Sequence, residues 1–470
     1  MTINPLILFR FFLIMIDFSN QEFIQALYLM EESYQNLFIT GEAGSGKSTL
    51  LRTWMEISRK QVAILAPTGL AAINIKGETI HSFFRLAPQD YYSMDSIEMR
   101  SDATFLKKIR ALQTIVIDEI SMVRADMLDI IDQLLQKYSG VNLPFGGRQI
   151  IMIGDLFQLP PIVKDHNLFK SMGYASSYFF DSKVIKGLQQ EGEMHFVKLI
   201  KNYRQSGDSE FNNLLNQIRL GRPSPEILAR INQRVAPITA QKSVIRLTTT
   251  NQTAGDINTL ELNSITKNSK KFTAKISGEF TRVSPTQLPA ESELNLKVGA
   301  QVMFIKNDLE KHWVNGNFGK ILDFKLDEVL VQRTDTDRPT EHWVGMETWE
   351  LYRYQFNTEE NAVKPELVGS FRQLPLKLAW AVTIHKSQGQ TYNRVHIDLG
   401  RGAFAHGQTY VALSRCRSLE GVYLARAIQP RDIIVDRSVI DFDSQTQWNT
   451  VIQANDIAKF ITRVQTKMAE

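Results

Sequence analysis

The stretch Gly41-Glu42-Ala43-Gly44-Ser45-Gly46-Lys47-Ser48-Thr49 fits the pattern G-x-x-x-x-G-K-[ST]. It follows the apolar run 37–40 and precedes a segment, 50–55, whose composition is compatible with a helix. A strand, a glycine-rich loop and a helix in this order form the phosphate-binding P-loop. Glycines let the backbone N–H groups turn inward around phosphate, and the helix N-terminus adds a favourable dipole. The pattern therefore predicts a nucleotide-binding loop, and a chance glycine-rich turn is the weaker alternative.

Each position of the loop has an expected role. Lys47 is expected to reach the β- and γ-phosphates of ATP, and the Ser48 hydroxyl is expected to take a Mg²⁺ position. Gln25 lies on an amphipathic stretch before the loop, where its amide could read an adenine edge, although a glutamine on a helix is more often simply solvated. The residues predicted to hold the nucleotide are Gln25, Gly41, Ala43, Gly44, Ser45, Gly46, Lys47, Ser48 and Thr49.

Three further apolar runs, at 62–66, 114–117 and 150–153, alternate with helical stretches. Continuous β-branched runs of this kind are typical of a parallel sheet that is buried on both faces. Polar residues follow each run, at the edge where open α/β sheets bind their ligands. We therefore expect the first half of the chain to form one P-loop lobe.

Two acidic residues, Asp118 and Glu119, follow the run 114–117. A carboxylate at a strand end can hold Mg²⁺ through water, so Asp118 is the second predicted metal ligand. Glu119 can orient or deprotonate the attacking water. Gln158, beyond the run 150–153, could sense the γ-phosphate through a neutral amide. Together with Lys47, these residues predict nucleotide hydrolysis.

The composition agrees with a cytosolic globular protein. The 470 residues allow two to four domains, and 43% hydrophobic with 22% charged residues is ordinary for a chain with a sizeable core. The net charge of +4 is too small to indicate nucleic-acid binding by itself. One cysteine, Cys416, excludes an internal disulfide framework and a cysteine-rich zinc site, and it fits a reducing cytoplasm.

The N-terminal run 5–16 is strongly apolar, but Arg10 interrupts it and it is too short to span a bilayer. It lacks a basic segment and a small-residue cleavage site, so a signal peptide is a poor fit. It is either an extra segment packed on the core or sequence upstream of a start at Met15, and we favour the second interpretation.

The second half contains further apolar strands, at 196–200, 244–250, 376–383, 395–399 and 422–425. They predict a second sheet that lacks a P-loop and supplies only charges to the nucleotide, with Arg415 as a candidate to reach across. The segment 268–371 interrupts this series and is rich in strand patterns. We therefore expect one nucleotide to be clamped between two lobes.

Several motifs in order resemble the petite-integration-frequency (Pif) family of superfamily 1 DNA helicases. They are GEAGSGKST, APTGLAA, GETIHSFF, IVIDEISMV, PFGGRQIIMIGDLFQLPP, KNYRQ, NLKVGAQVMFIKND, VNGNFGK, LAWAVTIHKSQGQT and HGQTYVALSRCRSLEGVYLA. The similarity runs from about Gln21 to Arg426 and shows no departure at a chemical position. Ser45, where threonine is common, is a conservative difference.

The resemblance implies an α/β fold with two tandem RecA-like lobes, a small insertion in the first lobe and a β-barrel-like insertion in the second. We expect an apolar extension at 1–18 and a first lobe at 19–190 with a small insertion at about 88–110. The second lobe is expected at 191–267 and 372–427, its β-rich insertion at 268–371 and a C-terminal tail at 428–470.

The resemblance also implies an ATP- and Mg²⁺-dependent DNA helicase that translocates 5′-to-3′, unwinds duplex or structured DNA and serves DNA repair or recombination. Arg204 takes the position of an arginine finger, with Lys47, Glu119, Gln158 and Arg415 as the other catalytic residues. The resemblance places Thr68, Thr383, His385 and Lys386 against the DNA backbone, and Asn251 is a further predicted DNA contact. His81 could also contact DNA, although a lone histidine more often makes a structural hydrogen bond.

The expected partners are single-stranded DNA and forked, duplex or quadruplex DNA, with a DNA–RNA hybrid as a further option. The motor is expected to be monomeric and cytoplasmic.

The residues leave other functions open. An RNA or hybrid helicase is the nearest alternative, because contacts that track a backbone discriminate poorly between DNA and RNA. An oligomeric protein-remodelling ATPase is less favoured, because the chain carries a second series of strands and the stretch TIHKSQGQT. A catalytically inactive binding module is disfavoured by the intact set of Lys47, Ser48, Asp118, Glu119 and Gln158.

Overall fold

The computed structural model describes residues 17–86, 101–163, 166–203, 208–237, 244–285, 288–308, 310, 312–334, 338–357, 359–360, 362–449 and 452–469. The apolar run at the N-terminus, most of the expected insertion at 88–110 and Arg204 lie outside these residues. The predictions made for them therefore stay predictions.

Six strands form the sheet of the first lobe: β1 (Asn36–Gly41), β2 (Val62–Ala66), β3 (Glu78–Thr79), β4 (Thr114–Ile117), β5 (Gln149–Ile153) and β6 (Met194–Leu199). They lie in the order β3-β2-β4-β5-β1-β6 with every pair parallel. All residues of β1, β4 and β5 are buried, as a sheet covered on both faces requires. The strands predicted at 62–66, 114–117 and 150–153 are present.

The helices of the first lobe are α1 (Gln21–Glu32), α2 (Lys47–Ile57), α3 (Gly69–Asn74), α4 (Ile80–Phe83), α5 (Ala103–Ala111), α6 (Ala125–Ser139), α7 (His166–Ser171) and α8 (Lys183–Gln190). Asn20 caps α1 by accepting a hydrogen bond from the Phe23 N–H at 3.1 Å. Trp54 of α2 is fully buried, and its indole N–H donates to Glu31 of α1 at 3.1 Å. The helix that carries the P-loop lysine is thereby fixed to α1.

Strand β6 belongs to the first sheet, and our placement of this strand in the second lobe was wrong. It pairs with β1 along the full length of β1, from Asn36 opposite Met194 to Gly41 opposite Leu199. This pairing buries Val197 completely. An apolar strand pattern does not name its partner, so the sequence left this edge of the sheet undecided. The first lobe therefore extends beyond residue 190.

The chain then forms α9 (Ser209–Arg219), α10 (Pro225–Asn232), β7 (Ile245–Thr248) and α11 (Asn251–Ser264). Asp208 and Ser224 cap α9 and α10, and Pro225 occupies the first turn of α10, where its missing N–H costs nothing. Strand β7 starts the second sheet.

The described residues of the insertion form ten strands: β8 (Ser269–Thr273), β9 (Lys275–Gly278), β10 (Glu293–Lys297), β11 (Gln301–Phe304), β12 (Phe318–Phe324), β13 (Glu328–Arg333), β14 (Glu341–Gly345), β15 (Glu347–Asn357), β16 (Ala362–Gln373) and β17 (Leu376–Leu378). They pair antiparallel in the orders β10-β8, β14-β13-β12-β11-β17 and β15-β16-β9. Trp313 and Trp349 lie in its cores, and Trp343 remains 38% exposed. Of these three tryptophans, Trp343 is the most exposed, and the Lys325 ammonium lies 3.8 Å from the centroid of its ring.

The second sheet is completed by β18 (Ala381–Thr383), β19 (Val395–Asp398) and β20 (Val422–Leu424), with α12 (Gln408–Ser414) before the last strand. Its order is β18-β7-β19-β20, and all pairs are parallel. The single strand predicted at 376–383 is two strands, because its first part pairs with β11 of the insertion. Two parallel sheets flanked by helices confirm the predicted fold class.

A hairpin of the insertion, β15–β16, is docked on the first lobe. The Tyr354 N–H donates to the buried carboxylate of Glu78 at 3.0 Å, and the Val363 N–H donates to Gln61 at 2.8 Å. Arg353 lies 3.8 Å from the same carboxylate, which also accepts the Ser82 hydroxyl at 2.6 Å. The insertion therefore contacts both lobes.

The C-terminal tail returns to the first lobe through α13 (Arg437–Gln445) and α14 (Ala454–Ala469). Phe442 of α13 stacks on Phe180 with ring centroids 4.3 Å apart. Phe460 of α14 is 3% exposed and meets the edge of Tyr28 on α1 at 5.6 Å. In the described part of the chain, no helix is long and apolar enough to cross a membrane.

We predict that Phe460→Ala detaches α14 from α1. Removing a buried phenylalanine costs about 3–5 kcal/mol, more than a terminal helix held by one apolar face can lose. Limited proteolysis and hydrogen exchange should show earlier cleavage and faster exchange in residues 454–466. Lys459→Ala, an exposed neighbour, is the matched control. Unchanged protection in the Phe460 variant would contradict this account of the tail.

Candidate active site

The loop after β1 has the backbone that a P-loop requires. Gly44 and Gly46 both have φ of +93°, a left-handed conformation that favours glycine. Gly41 is needed for a different reason. A Cβ there would lie 2.4 Å from Ser45 Oγ and 2.8 Å from the Leu199 carbonyl oxygen. The three glycines therefore shape the loop between β1 and α2.

The polar side chains of the loop are arranged for an anionic ligand. Lys47 Nζ donates to the carbonyls of Gly41 at 2.7 Å and Glu42 at 3.0 Å, so its ammonium lies over the loop. Ser45 Oγ is buried and has no hydrogen-bond partner among the described residues. Ser48 is exposed and Thr49 half-buried in the first turn of α2, where N–H groups point outward. A phosphate group would supply acceptors to these donors.

Neighbouring segments hold the loop from two sides. From the end of β6, the Tyr203 N–H donates to the Gly44 carbonyl at 2.9 Å and the Asn202 amide donates to the Ala43 carbonyl at 3.1 Å. From the second lobe, Tyr410 of α12 accepts the Ala43 N–H at 3.2 Å through its hydroxyl. Gln25 is half-buried on α1. The P-loop is thus contacted directly by the second lobe.

Asp118 and Glu119 follow β4 in a strained turn. Glu119 has φ 52° and ψ 42°, which costs a non-glycine residue about 1–3 kcal/mol. Burial and the Asp118 charge raise the pKa of Glu119 to about 7, while Lys47 and Arg415 act in the opposite direction. Burial also raises the pKa of Asp118. Strained, desolvated carboxylates of this kind are typical of catalytic sites.

Gln158 is held in the site by Asp155, which follows β5. Both side chains are buried, and the Gln158 amide donates from Nε2 to Asp155 Oδ2 at 3.1 Å. The second lobe covers this loop closely: a Cβ on Gly407 would lie 2.3 Å from the Phe157 carbonyl oxygen. His406 donates from Nε2 to the Leu156 carbonyl at 2.8 Å, because its Nδ1 accepts the Asp436 N–H.

Arg415 lies at the end of α12 and is 1% exposed. Its Nε donates to the Val411 carbonyl at 2.9 Å, and Nη1 lies 3.5 Å and 3.4 Å from the carbonyls of Ser387 and Gln390. Its charge lowers the pKa of Glu119. Arg415 is therefore a buried residue of the second lobe whose charge acts on Glu119, while Arg204 lies outside the described residues. The catalytic roles predicted for both arginines stay predictions.

The predicted DNA contacts sit at the carboxyl ends of strands in both lobes. Thr68 follows β2 and caps α3, accepting the Ala71 N–H. Thr383 is buried at the end of β18, and its hydroxyl accepts the Lys386 N–H at 3.3 Å. The side chain of Lys386 is exposed. His385 is half-buried, and burial lowers its pKa.

The other two predicted DNA contacts differ in their exposure. Asn251 is exposed at the start of α11, whereas His81 is half-buried in α4. Burial and the Arg124 charge lower the pKa of His81.

A magnesium ion would find oxygen ligands beside the P-loop. Asp118 uses Oδ1 to accept the Glu119 N–H at 3.0 Å, which leaves Oδ2 for a metal-bound water. The Ser48 hydroxyl is exposed at the start of α2. Among the described residues there is no cluster of three or more acidic, histidine or cysteine side chains that could hold a metal. One carboxylate, one hydroxyl and phosphate oxygens form the kind of ligand set that Mg²⁺ accepts.

Four residues that the sequence did not single out as site residues lie in or beside the site: Asp155, Arg219, His406 and Tyr410. His406 and Tyr410 fall in the motif HGQTYVALSR, which is part of the family resemblance. That motif was the sequence signal that could have identified them. No sequence signal pointed to Arg219, because an arginine at the end of an amphipathic helix is common in proteins of every function.

Comparison with known proteins identifies a family. A model described as PIF1-like helicase matches residues 19–227. The ATP-dependent DNA helicase Pif1 of Bdellovibrio bacteriovorus is 33% identical over 421 residues, which are 88% of this chain and 89% of that protein. The human ATP-dependent DNA helicase PIF1 is 32% identical over 417 residues, which are 87% of this chain and 61% of that protein.

Solved structures of Pif1 from Bacteroides sp are similar to this chain in both sequence and fold. The complex with ADP-AlF4 is 33% identical, has a TM-score of 0.81 and covers 90% of this chain and 96% of that one. The structure bound to ssDNA, also 33% identical and with the same coverage, has a TM-score of 0.63.

We predict that Gly41→Ala weakens nucleotide binding. The added methyl group displaces Ser45 or β6, and such overpacking costs about 1–3 kcal/mol, or roughly 5- to 150-fold in Kd. Titration with a fluorescent ADP analogue measures the effect. Gly187→Ala, on a helical glycine with open space around it, should leave the Kd unchanged. Normal affinity in the Gly41 variant would contradict the role assigned to this close contact.

Proposed function

Because the chain belongs to the PIF1-like helicase family, we propose that it is an ATP-dependent DNA helicase, which hydrolyses ATP to move along single-stranded DNA and unwind duplex DNA. The observation that supports this most directly is the contact between the lobes at the P-loop. Ala43 of the loop donates its N–H to Tyr410 of the second lobe, and the charge of Arg415, at the end of the same helix, lowers the pKa of Glu119. A nucleotide bound here contacts both lobes and can control how closely they approach.

Each of the predicted catalytic residues has a separate role in ATP hydrolysis. Lys47 exchanges its bonds to the loop carbonyls for the β- and γ-phosphates of ATP. Glu119 takes a proton from the attacking water, whose oxygen bonds to the γ-phosphorus as the bond to the bridging oxygen of ADP breaks. Gln158 orients that water, while Arg415 and Arg204 neutralise the charge that spreads over the γ-oxygens. A raised pKa suits Glu119 for accepting a proton near neutral pH.

Mg²⁺ fits this site with Ser48 and Asp118 as its protein ligands, and when bound it would neutralise phosphate charge. We place the adenine near α1, where Gln25 could contact its edge, and the phosphates on the backbone of residues 41 to 49.

Movement follows from a change in the population of open and closed lobes. ATP binds the closed arrangement better because only that arrangement presents the arginines, and hydrolysis removes the preference. DNA contacts on the first lobe, at Thr68 and His81, then alternate with those on the second lobe, at Asn251, His385 and Lys386. We propose 5′-to-3′ movement, which the family resemblance implies.

The substrates that we propose are single-stranded DNA and forked, duplex or quadruplex DNA, with a DNA–RNA hybrid as a further possibility. One solved structure shows Bacteroides Pif1 bound to ssDNA, and another concerns DNA unwinding at forked dsDNA by two coordinating Pif1 helicases. We further propose that this chain acts as a monomer in the bacterial cytoplasm, in DNA repair or recombination. A second sheet in the same chain supports a two-lobed motor over an oligomeric remodelling ATPase.

The proposed function predicts that single-stranded DNA stimulates ATP hydrolysis and that duplexes with a 5′ tail are unwound. Rates are measured with and without oligonucleotide, on substrates with either tail. An absence of stimulation by DNA rejects the motor, whereas unwinding only from a 3′ tail rejects the proposed polarity. Equal stimulation by RNA favours the RNA-helicase alternative.

Glu119→Gln serves as the inactive control in this experiment. It should bind nucleotide normally and lose at least ~10²-fold in hydrolysis, because a positioned base is removed. Glu56→Gln, on the exposed side of α2, is its matched control and should keep full activity. Retained turnover in the Glu119 variant would show that a different residue acts as the general base.

We predict that Lys386→Ala weakens binding to single-stranded DNA of any sequence. Loss of one phosphate contact should lower the slope of log Kobs against log salt concentration by about 0.7. Fluorescence anisotropy at several salt concentrations measures both quantities. Lys186→Ala, on a half-buried lysine of α8 that pairs with Asp181, is the control. An unchanged slope would show that Lys386 does not contact a DNA phosphate.

A further inference from the structure

Among the described residues, four hydrogen-bond donors from three parts of the chain surround the carboxylate of Asp155. Oδ1 accepts the Phe157 N–H at 3.2 Å and faces Nη2 of Arg219 at 3.4 Å. Oδ2 accepts Nε2 of Gln158 at 3.1 Å and the hydroxyl of Tyr410 at 3.4 Å. Phe157 and Gln158 belong to the same loop as Asp155, whereas Arg219 ends α9 and Tyr410 lies on α12. We call these five residues the Asp155 network.

Arg219 is the buried cation of this network. It is 3% exposed, and its guanidinium lies over the ring of Phe157 with 3.8 Å between the guanidinium carbon and the ring centroid. Its Nε has no hydrogen-bond partner among the described residues. In the described part of the chain, the guanidinium is held by an ion pair with Asp155 and by the face of the Phe157 ring, and both partners belong to the same loop.

The charge of Arg219 is what makes a buried Asp155 tolerable. Burial alone would raise the pKa of Asp155, but Arg219 and then Lys47 lower it below its usual value, aided by hydrogen bonds from Gln158 and Phe157. Removing one partner of a buried ion pair leaves the other as an uncompensated charge. Without Arg219, Asp155 must either take up a proton or turn toward other donors.

An ionised Asp155 determines which way the Gln158 amide points. A carboxylate only accepts hydrogen bonds, so the amide must present its NH₂ group to Asp155. Oε1 of Gln158 is then directed away from Asp155 and can accept a proton of the attacking water. A protonated or displaced Asp155 would permit the opposite amide orientation, in which no acceptor faces the water.

We propose that Arg219 is a positioning residue for ATP hydrolysis: it holds Asp155 in place, and Asp155 fixes the Gln158 amide in the orientation that accepts the attacking water. This inference rests on the proposed function, in which Gln158 orients the water. Arg219 is 3% exposed, and its ion pair and its stacking contact are both made with the loop that carries Gln158. Its loss therefore affects turnover and leaves nucleotide affinity unchanged.

The test compares kcat and KM for DNA-stimulated ATP hydrolysis in Arg219→Met, Arg219→Lys and Arg222→Met. Arg222 is an exposed arginine three residues further along and is the matched control. We expect Arg219→Met to lower kcat by roughly 10²-fold, as a displaced catalytic group does, with KM for ATP within about threefold. Arg219→Lys keeps the charge but loses the planar stacking, so it should recover part of the lost rate. Arg222→Met should behave as wild type.

A double-mutant cycle with Gln158→Ala separates positioning from general support of the fold. If Arg219 acts through Gln158, Arg219→Met should change kcat by less than about threefold once Gln158 is absent. The same large loss in both backgrounds would overturn the proposal, as would unchanged kcat in Arg219→Met. If Arg219→Met does not fold, Arg219→Lys takes its place in the cycle and the same criteria apply. Wild-type protein without DNA-stimulated hydrolysis would instead refute the proposed function.

Discussion

The buried carboxylate of Asp155 is the interaction on which the junction of the two lobes depends. A desolvated carboxylate is stable only with donors around it, and the first lobe supplies too few of them from its own loop. Arg219 and Tyr410 provide the rest from α9 and α12. The charge at the end of β5 therefore requires the second lobe to be close. Because Tyr410 also accepts the Ala43 N–H, the same requirement extends to the P-loop.

Charged groups and backbone strain lie together at the carboxyl end of the first sheet, and the packing of the rest of the lobe stabilises them. Asp118 and Glu119 are adjacent carboxylates with raised pKa values, and Glu119 adopts a left-handed backbone. Fully buried strands β1, β4 and β5 supply the rigid support that such a turn needs. Lys47 and Arg415 offset the negative charge from opposite lobes, which makes the protonation of Glu119 sensitive to their approach.

Two long excursions of the chain cross between the lobes and restrict their separation. The hairpin β15–β16 reaches from the insertion to Glu78 at the edge strand of the first sheet. The tail leaves the second lobe and returns through Phe442 and Phe460 to the first. Relative movement of the lobes must therefore be accommodated around these attachments, in addition to the nucleotide site.

The sequence by itself determined the P-loop, the strands around it and the acidic pair, because these depend on local spacing and on continuous apolar runs. It also determined the family, through motifs spread over most of the chain. Only the tertiary structure assigned β6 to the first sheet and divided 376–383 between two sheets, since strand partners are chosen by burial and pairing across the fold. It alone brought Arg219 to Asp155, 64 residues away in sequence. A buried charge selects its partner by proximity in space, and no local pattern records that choice.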